Sequence, residues 1–351
     1  MASEDYSADS IVVLSGLECV RKRPGMYVGD VNSSLGVHHL VYQALSDIIE
    51  HARTGWCTWV SVEIRRDGSC VIEHDGRPVG DVADPTKALE DQSSVLVTDG
   101  LFAALPVVRA LCTEFVLTAW DRGDRHERRY ADSEPAGDWV TRRDDHWPGL
   151  RVQFRPDPAL LGDFELEFTR LRNRLRTSTS MLAGFRSSIA DRRTGEGAEF
   201  CFPNGLADRI VETVRGRSLA SPKPLHITAE QGDWRVEAAV LWCVDDDFGA
   251  QLATGRQVVS WVNTVQTRND GTHVDGFLRA VAVAEKGLDL RRPHSPLVML
   301  SLFMPWPRYS APVKDRLESE EATDFVYEHV LGPLREQWAE GSELVAALRR
   351  V

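Results

Sequence analysis

The sequence predicts an α+β protein of two domains. The chain has 351 residues, of which 42% are hydrophobic and 27% are charged, so it can bury more than one core. Residues 35–54 repeat apolar side chains with the period of a helix, whereas residues 59–64 alternate as a strand does. A Ser- and Pro-rich break at residues 218–224 interrupts this pattern. We therefore place the domains at 1–217 and 218–351.

The first predicted domain opens with helices and continues with strands. A helix over residues 11–24 ends at Pro24 and Gly25, which stop helices. The helix at 35–54 follows, and the turn Asp67-Gly68 then joins two strands. The remaining predicted elements are strands at 59–64, 70–73, 116–120, 127–130 and 150–155, with helices at 101–112 and 164–176.

The second predicted domain is built from strands and two helical regions. The strands are predicted at 225–229, 235–244, 258–263 and 297–304, and the helical regions at 273–285 and 319–350. The apolar run at 297–306 is too short to span a bilayer and is typical of a buried strand. No secretory signal precedes the domains, so we expect a cytoplasmic protein without membrane contact.

Composition argues against several kinds of function. The net charge of −12 is unsuited to a broad DNA-binding surface, which needs clustered Lys and Arg, so we expect no direct DNA binding. The six cysteines lack the spacing of a metal site, and we expect reduced thiols and no bound metal.

Two long segments carry a specific resemblance. Residues 10–30 read SIVVLSGLECVRKRPGMYVGD and residues 263–277 read NTVQTRNDGTHVDGF. Both resemble the N-terminal half of the ATPase subunits of bacterial type IIA topoisomerases, the gyrase B and topoisomerase IV ParE family. The resemblance covers nearly the whole chain and implies a GHKL (Bergerat-type) α/β sandwich followed by a ribosomal-S5-like transducer. It does not extend to the DNA-cleaving Toprim part, which we expect to be absent.

One face of the predicted helix at 35–54 departs from that family. His39, Gln43 and Asp47 stand four residues apart and therefore share a face. The resemblance places Gln43 where relatives carry the glutamate that activates water for ATP hydrolysis, and Asp47 where they carry an asparagine that binds Mg²⁺. An amide cannot take a proton from water. Asp47 retains oxygen ligands for Mg²⁺ but adds negative charge beside the phosphates.

The adenine-binding residues are also altered. The family uses an aspartate at the position of His74 to accept a hydrogen bond from the adenine amino group. Histidine accepts only as the neutral, correctly oriented tautomer. Leu150 replaces a threonine that supports the same recognition. Asp75 and Gly76 remain as parts of the motif.

The phosphate-binding loop has lost most of its glycines. Residues 99–105 read DGLFAAL where the family has GGLHGVG, and only Gly100 survives to let backbone amides close on phosphate. The ATP lid, expected at 80–96, is shortened. Lys314 takes the place of the lysine that reaches the γ-phosphate. Tyr6 takes the place of the tyrosine in the N-terminal arm that contacts the partner subunit's nucleotide, so the resemblance implies a homodimer through this arm.

These departures predict that ATP hydrolysis has been lost, and we expect no cofactor, neither ATP nor Mg²⁺. Weak binding of a nucleotide without hydrolysis stays open as an alternative. The leading hypothesis is a binding or regulatory module that acts on a gyrase subunit or sequesters a small-molecule ligand. A second hypothesis is an ATP-independent isomerase or cyclase of specialised metabolism that reuses the former ATP pocket, with His39, Gln43, Asp47 and His74 as its catalytic residues. The alternative, which we favour, is that these residues and Asp75 only hydrogen-bond to one another after loss of the ligand. A third hypothesis, an active topoisomerase fragment, is disfavoured by the lost motifs.

Overall fold

The computed structural model describes residues 16–76, 104–220, 223–242, 258–286, 296–311, 313–339 and 342–348. The chain divides into two compact units. The first comprises the residues up to Thr177 together with Phe185–Cys201, and the second comprises Ser178–Gly184 together with the chain from Phe202 onward. The division therefore falls at Phe202, whereas the sequence suggested residue 218.

The first unit is built on a mixed sheet of nine strands, counted over the described residues. The strand order is β5-β4-β3-β7-β2-β1-β8-β9, and β6 pairs with β4. All neighbours are antiparallel except β1 and β8. The strands are β1 (Trp59–Ile64), β2 (Cys70–His74), β3 (Cys112–Asp121), β4 (Asp124–Ala131), β5 (Glu134–Pro135), β6 (Val140–Arg143), β7 (Gly149–Pro156), β8 (Arg186–Asp191) and β9 (Gly197–Cys201).

Six helices accompany this part of the described chain. They are α1 (Gly16–Lys22), α2 (Gly25–Val28), α3 (Leu35–Arg53), α4 (Leu105–Ala110), α5 (Pro158–Leu161) and α6 (Phe168–Thr179). The apolar stripe of α3, including Leu45 and Ile48, is buried, as its helical period predicts. On β1 the buried residues alternate with half-buried ones, so one face of the sheet is covered and the other is more open.

The second unit has a five-stranded sheet between helices, in the order β10-β11-β14-β12-β13. Its elements are α7 (Leu206–Thr213), β10 (Leu225–Gln231), β11 (Trp234–Leu241), β12 (Val258–Val262), β13 (Val265–Gln266), α8 (Thr272–Ala284), β14 (Leu297–Phe303), α9 (Glu321–Gln337) and α10 (Glu343–Leu348). All seven residues of β14 are buried, because helices cover both faces of this central strand. Helices α8 and α9 pack on one face, and α7 packs on the other.

The structure confirms most of the predicted elements and corrects two regions. Residues 319–350 form two helices, α9 and α10, and not one long helical region. The segment between α6 and residue 218, which had no predicted element, contains β8, β9 and α7. Helix α7 and Met181 pack on the sheet of the second unit, which explains why that unit includes Ser178–Gly184 and the chain from Phe202 onward.

No helix in the described residues is both long and apolar enough to cross a membrane. None of the five cysteines within the described ranges forms a disulfide: Cys19, Cys57, Cys70, Cys112 and Cys201.

Candidate nucleotide-site remnant

Helix α3 brings its polar face against strands β2 and β7. The residues at four-residue spacing are His39, Gln43 and Asp47, and the row continues to His51. Asp47 and His51 line a small cavity together with His74 of β2 and Leu150 of β7. The structure thus brings together Asp47 and His74, two of the predicted site residues.

His39 and Gln43 are bound to the backbone of helix α2. Nδ1 of His39 lies 2.5 Å from the carbonyl oxygen of Val28, so this nitrogen carries the proton and donates. Nε2 of Gln43 donates to the carbonyl oxygen of Tyr27 at 3.3 Å. The Gln43 amide therefore helps to hold helices α2 and α3 together. It has no group that can accept a proton from water.

Asp47 is bound to the residue that precedes helix α4. Its Oδ2 accepts a hydrogen bond from the backbone N–H of Ala104 at 3.0 Å. Ala104 and Leu105 are the described end of the altered phosphate loop, and Ala104 is the N-cap of α4. Withdrawal from water raises the pKa of Asp47 to about 7, and the Ala104 hydrogen bond offsets this only in part. The Asp47 carboxylate therefore occupies the backbone N–H of Ala104, at the end of the loop that the resemblance assigns to phosphate binding.

His74 is held in a form that cannot accept a hydrogen bond from adenine. The backbone N–H of Gly76 donates to its Nδ1 at 3.1 Å, which occupies the lone pair of the neutral ring. Burial, and next the neighbouring His51, lower the pKa of His74 to about 3, so the ring is neutral at pH 7. The proton must then be on Nε2, which is a donor. The acceptor that relatives supply with aspartate is missing.

Asp75 retains its place in the motif but binds the start of β1. Its carboxylate accepts from the backbone N–H of Thr58 at 2.8 Å, from the Thr58 hydroxyl and from the Trp59 N–H at 3.1 Å. Burial opposes its ionisation, but the hydrogen bonds from Thr58, Trp59 and Cys57 outweigh burial and hold the pKa of Asp75 below its usual value. Asp75 therefore joins the end of β2 to the start of β1.

The space between α3, β2 and β7 is almost filled by side chains. The water-accessible volume of the cavity is about 10 Å³, roughly the room of one water molecule, whereas sites for organic ligands measure about 300–1,000 Å³. Its lining consists of Ala44, Asp47, Ile48, His51, Ile72, His74, Leu105, Leu150 and Val152. The residues present do not fit an adenine ring.

A metal centre built by protein side chains alone is also absent from the parts of the chain that the structure describes. No group of three or more His, Cys, Asp or Glu side chains is arranged to hold a metal ion there. We therefore derive no reaction through ATP or Mg²⁺.

The other predicted site residues lie elsewhere. Tyr6 and Gly100 fall outside the described residues. Gly76 is buried at the end of β2, where an added Cβ would lie 2.8 Å from Nδ1 of His74. Lys314 belongs to the second unit, with its Nζ 5.9 Å from the centre of the Tyr309 ring.

Sequence reasoning missed two members of this cluster. The ring centre of His51 lies 6.2 Å from that of His74, and continued four-residue spacing after Asp47 was the available signal. The thiol of Cys57 lies 3.3 Å from Oδ1 of Asp75, and no sequence pattern indicated this contact.

The fold is similar to solved structures of gyrase B and topoisomerase IV proteins. The topoisomerase IV ATP-binding domain of Francisella tularensis superposes with a TM-score of 0.71 at 20% identity, and the gyrase B protein of Myxococcus xanthus with 0.82 at 24%, covering 95% of this chain and 99% of that one. The 43K ATPase domain of Thermus thermophilus gyrase B, solved with an aminocoumarin, has a TM-score of 0.76 at 26% identity over 96% of each chain. The fold is therefore a GHKL-type sandwich followed by an S5-like transducer.

Sequence comparison points to the same relatives, although no protein-family model matches the chain. The DNA gyrase B protein of Synechocystis is 30% identical over 93% of this chain, and that of Thermotoga maritima is 27% identical over 98%. The chain spans 33% and 59%, respectively, of the length of these two relatives. It is a homologue of the N-terminal half of gyrase B.

Proposed function

We propose that this chain is a gyrase B homologue that neither hydrolyses nor binds ATP and that acts by binding another molecule. The observation that carries the proposal is the filled cavity beside His74, whose water-accessible volume is about 10 Å³; the family resemblance implies that adenine would lie at His74. His74 supports it, because its Nδ1 lone pair is occupied by the Gly76 N–H. The same cavity speaks against a small-molecule enzyme, since an organic substrate needs far more room.

The partner we propose is a gyrase subunit, because the relatives are gyrase B proteins. A homodimer through the N-terminal arm belongs to the same proposal. Co-sedimentation of the chain with gyrase from the same cell, with and without ATP, tests this partner. We expect association that ATP does not change. Association that requires ATP contradicts a module without nucleotide binding.

Substituting Gln43→Glu tests whether a single residue accounts for the lost chemistry. The change restores the carboxylate that relatives use as a base, and we expect no ATP hydrolysis because the adenine and phosphate contacts are still missing. The measurement is phosphate release with ATP and Mg²⁺, with circular dichroism to confirm folding. ATP turnover by the Gln43→Glu variant would contradict the proposal that the adenine and phosphate contacts are lost.

A further inference from the structure

Strand β10 forms a free edge of the sheet in the second unit. It stands at one end of the strand order and, among the described residues, pairs only with β11. A two-residue loop, Gly232-Asp233, joins the two strands and sets Gln231 opposite Trp234. Gly232 has a φ of 59°, as the first loop residue of a type II′ turn does. In such a hairpin the backbone groups of Gln231 and Trp234 bond to each other.

This hairpin determines which backbone groups of β10 are left for another chain. Bonded and outward groups alternate along an antiparallel strand, so every second residue counted back from Gln231 bonds to β11. The same alternation on β11, counted from Trp234, directs the carbonyl oxygen of Trp242 towards the β10 side, where it accepts from the N–H of Ala220 at 2.9 Å. The backbone groups that point away from the sheet are therefore those of His226, Thr228 and Glu230.

The outward residues of β10 are complementary to a second copy of themselves. All three are exposed, and His226 is bound to the buried Glu237 at 3.0 Å. When two β10 strands run antiparallel about a twofold axis at Thr228, Thr228 faces Thr228, and His226 faces Glu230 on both sides of the axis. Each outward N–H and C=O group then meets an outward group of the other copy. Facing threonines stabilise a sheet, and this register sets no carboxylate opposite another.

The charges along this edge favour a second copy over a uniformly basic or acidic peptide. Both signs are present, because Glu230 lies 3.4 Å from Arg235 of the neighbouring strand. Just beyond β10, the same register sets the exposed Lys223 of one copy opposite the exposed Asp233 of the other. An edge that carries both signs in this order is matched by its own reversed copy.

The opposite face of β10 is apolar and gains cover in the same register. Ile227 is buried, whereas Leu225 and Ala229 are only partly buried against the core of the second unit. The twofold axis sets Ile227 of one copy opposite Ala229 of the other. Leu225 then lies opposite Gln231, whose aliphatic stem can cover it. Both faces of the strand therefore agree on one register.

We propose that β10 is a dimerisation edge, at which two copies of this chain pair antiparallel about Thr228. One sheet then runs through the second units of both copies, and neither β10 edge is left open. This surface is distinct from the N-terminal arm of the proposed homodimer, and it does not depend on nucleotide binding.

A cysteine at the axis tests this register in the full chain. In the Thr228→Cys variant the two Cα atoms at the axis would lie about 5.5 Å apart, within the range of a disulfide. Glu230→Cys is the matched control, because the two copies of residue 230 would lie about four residues apart along the strands, roughly 14 Å. We expect mild oxidation to convert most of the Thr228→Cys chain into a covalent dimer, and no more of the Glu230→Cys chain than of the unsubstituted chain. Equal crosslinking of the two variants overturns the proposal.

A proline at the same position tests the backbone pairing. Thr228→Pro removes an outward N–H without removing a bond to β11, because proline is tolerated where the N–H of an edge strand faces solvent. Sedimentation velocity should show half as many copies per particle as for the unsubstituted chain at equal concentration. Thr228→Val keeps the N–H and the branched shape and should sediment unchanged. Unchanged sedimentation of a Thr228→Pro chain that circular dichroism shows to be folded contradicts the proposal; if that variant does not fold, the cysteine crosslink decides.

Discussion

At the residue scale, Asp47 takes part in the packing of the chain itself. Its carboxylate accepts from the Ala104 N–H and is half-buried against apolar side chains. Burial raises its pKa to about 7, so folding takes up a proton at Asp47 between pH 4 and pH 7. The stability that Asp47 contributes is therefore present below its unfolded pKa near 4 and is lost as the pH rises through 7.

Asp47→Asn is expected to remove this pH dependence. Asparagine still accepts from Ala104 and carries no charge. Relative to the unsubstituted chain, the free energy of unfolding of the variant should be higher by about 3 kcal/mol at pH 8 and by much less at pH 5. We expect less than the full ~1.4 kcal/mol per pKa unit because the Asp47 side chain is only half-buried. Urea unfolding at both pH values measures it. Ser46→Ala, on an exposed site of the same helix and without an ionisable group, is the control and should leave the pH slope unchanged.

His74 gives a dependence in the acid range. Its pKa is lowered to about 3, so its contribution to stability is present above the unfolded pKa near 6.5 and is lost as the pH falls. Between pH 7 and pH 5 the chain should lose about 2 kcal/mol through this residue, from ~1.4 kcal/mol per pKa unit. Urea unfolding of His74→Asn should show a smaller loss over that interval. An identical loss in both proteins would mean that His74 is not buried as described.

At the scale of elements, β7 lies close against the end of β2. A Cβ added at Gly149 would lie 2.6 Å from the carbonyl oxygen of His74, a backbone atom that cannot turn aside. Gly149→Ala should therefore cost about 1–3 kcal/mol through a forced backbone shift. Gly197→Ala is the matched control, because its nearest atom lies at 3.5 Å, and thermal unfolding should show little change. Equal midpoints for both variants would contradict this packing.

The sequence was most informative where one physical cause dominates an element. The apolar period of α3 and the continuous apolar run of β14 both follow from burial, and both were predicted correctly. Strand β9, with the sequence GAEFC, lies at a sheet edge and buries little, so its pattern gave no signal. The site was predictable only in part: spacing indicated the α3 face, whereas the Gly76 contact of His74 depends on the backbone path after β2.

At the scale of the whole molecule, the position of α7 decides where the second unit can begin. Leu206 and Ile210 of α7 cover Ala239 and Leu241 of the sheet. A fragment of residues 178–351 contains every segment of the second unit, Met181 included, and should therefore unfold cooperatively, whereas a fragment of residues 218–351 should expose that face and aggregate. Thermal unfolding followed by circular dichroism, together with light scattering, distinguishes them. Two equally stable fragments would place the boundary at 218.

The central claim is that a gyrase B fold has been kept while its nucleotide pocket has been filled. Titration calorimetry with a non-hydrolysable ATP analogue and Mg²⁺ tests this most directly, with an ATP-binding gyrase B domain as the positive control. Because Leu150, His51 and His74 leave room for about one water molecule, we expect no binding heat from this chain up to millimolar analogue. Saturable binding with sub-millimolar affinity would contradict the claim.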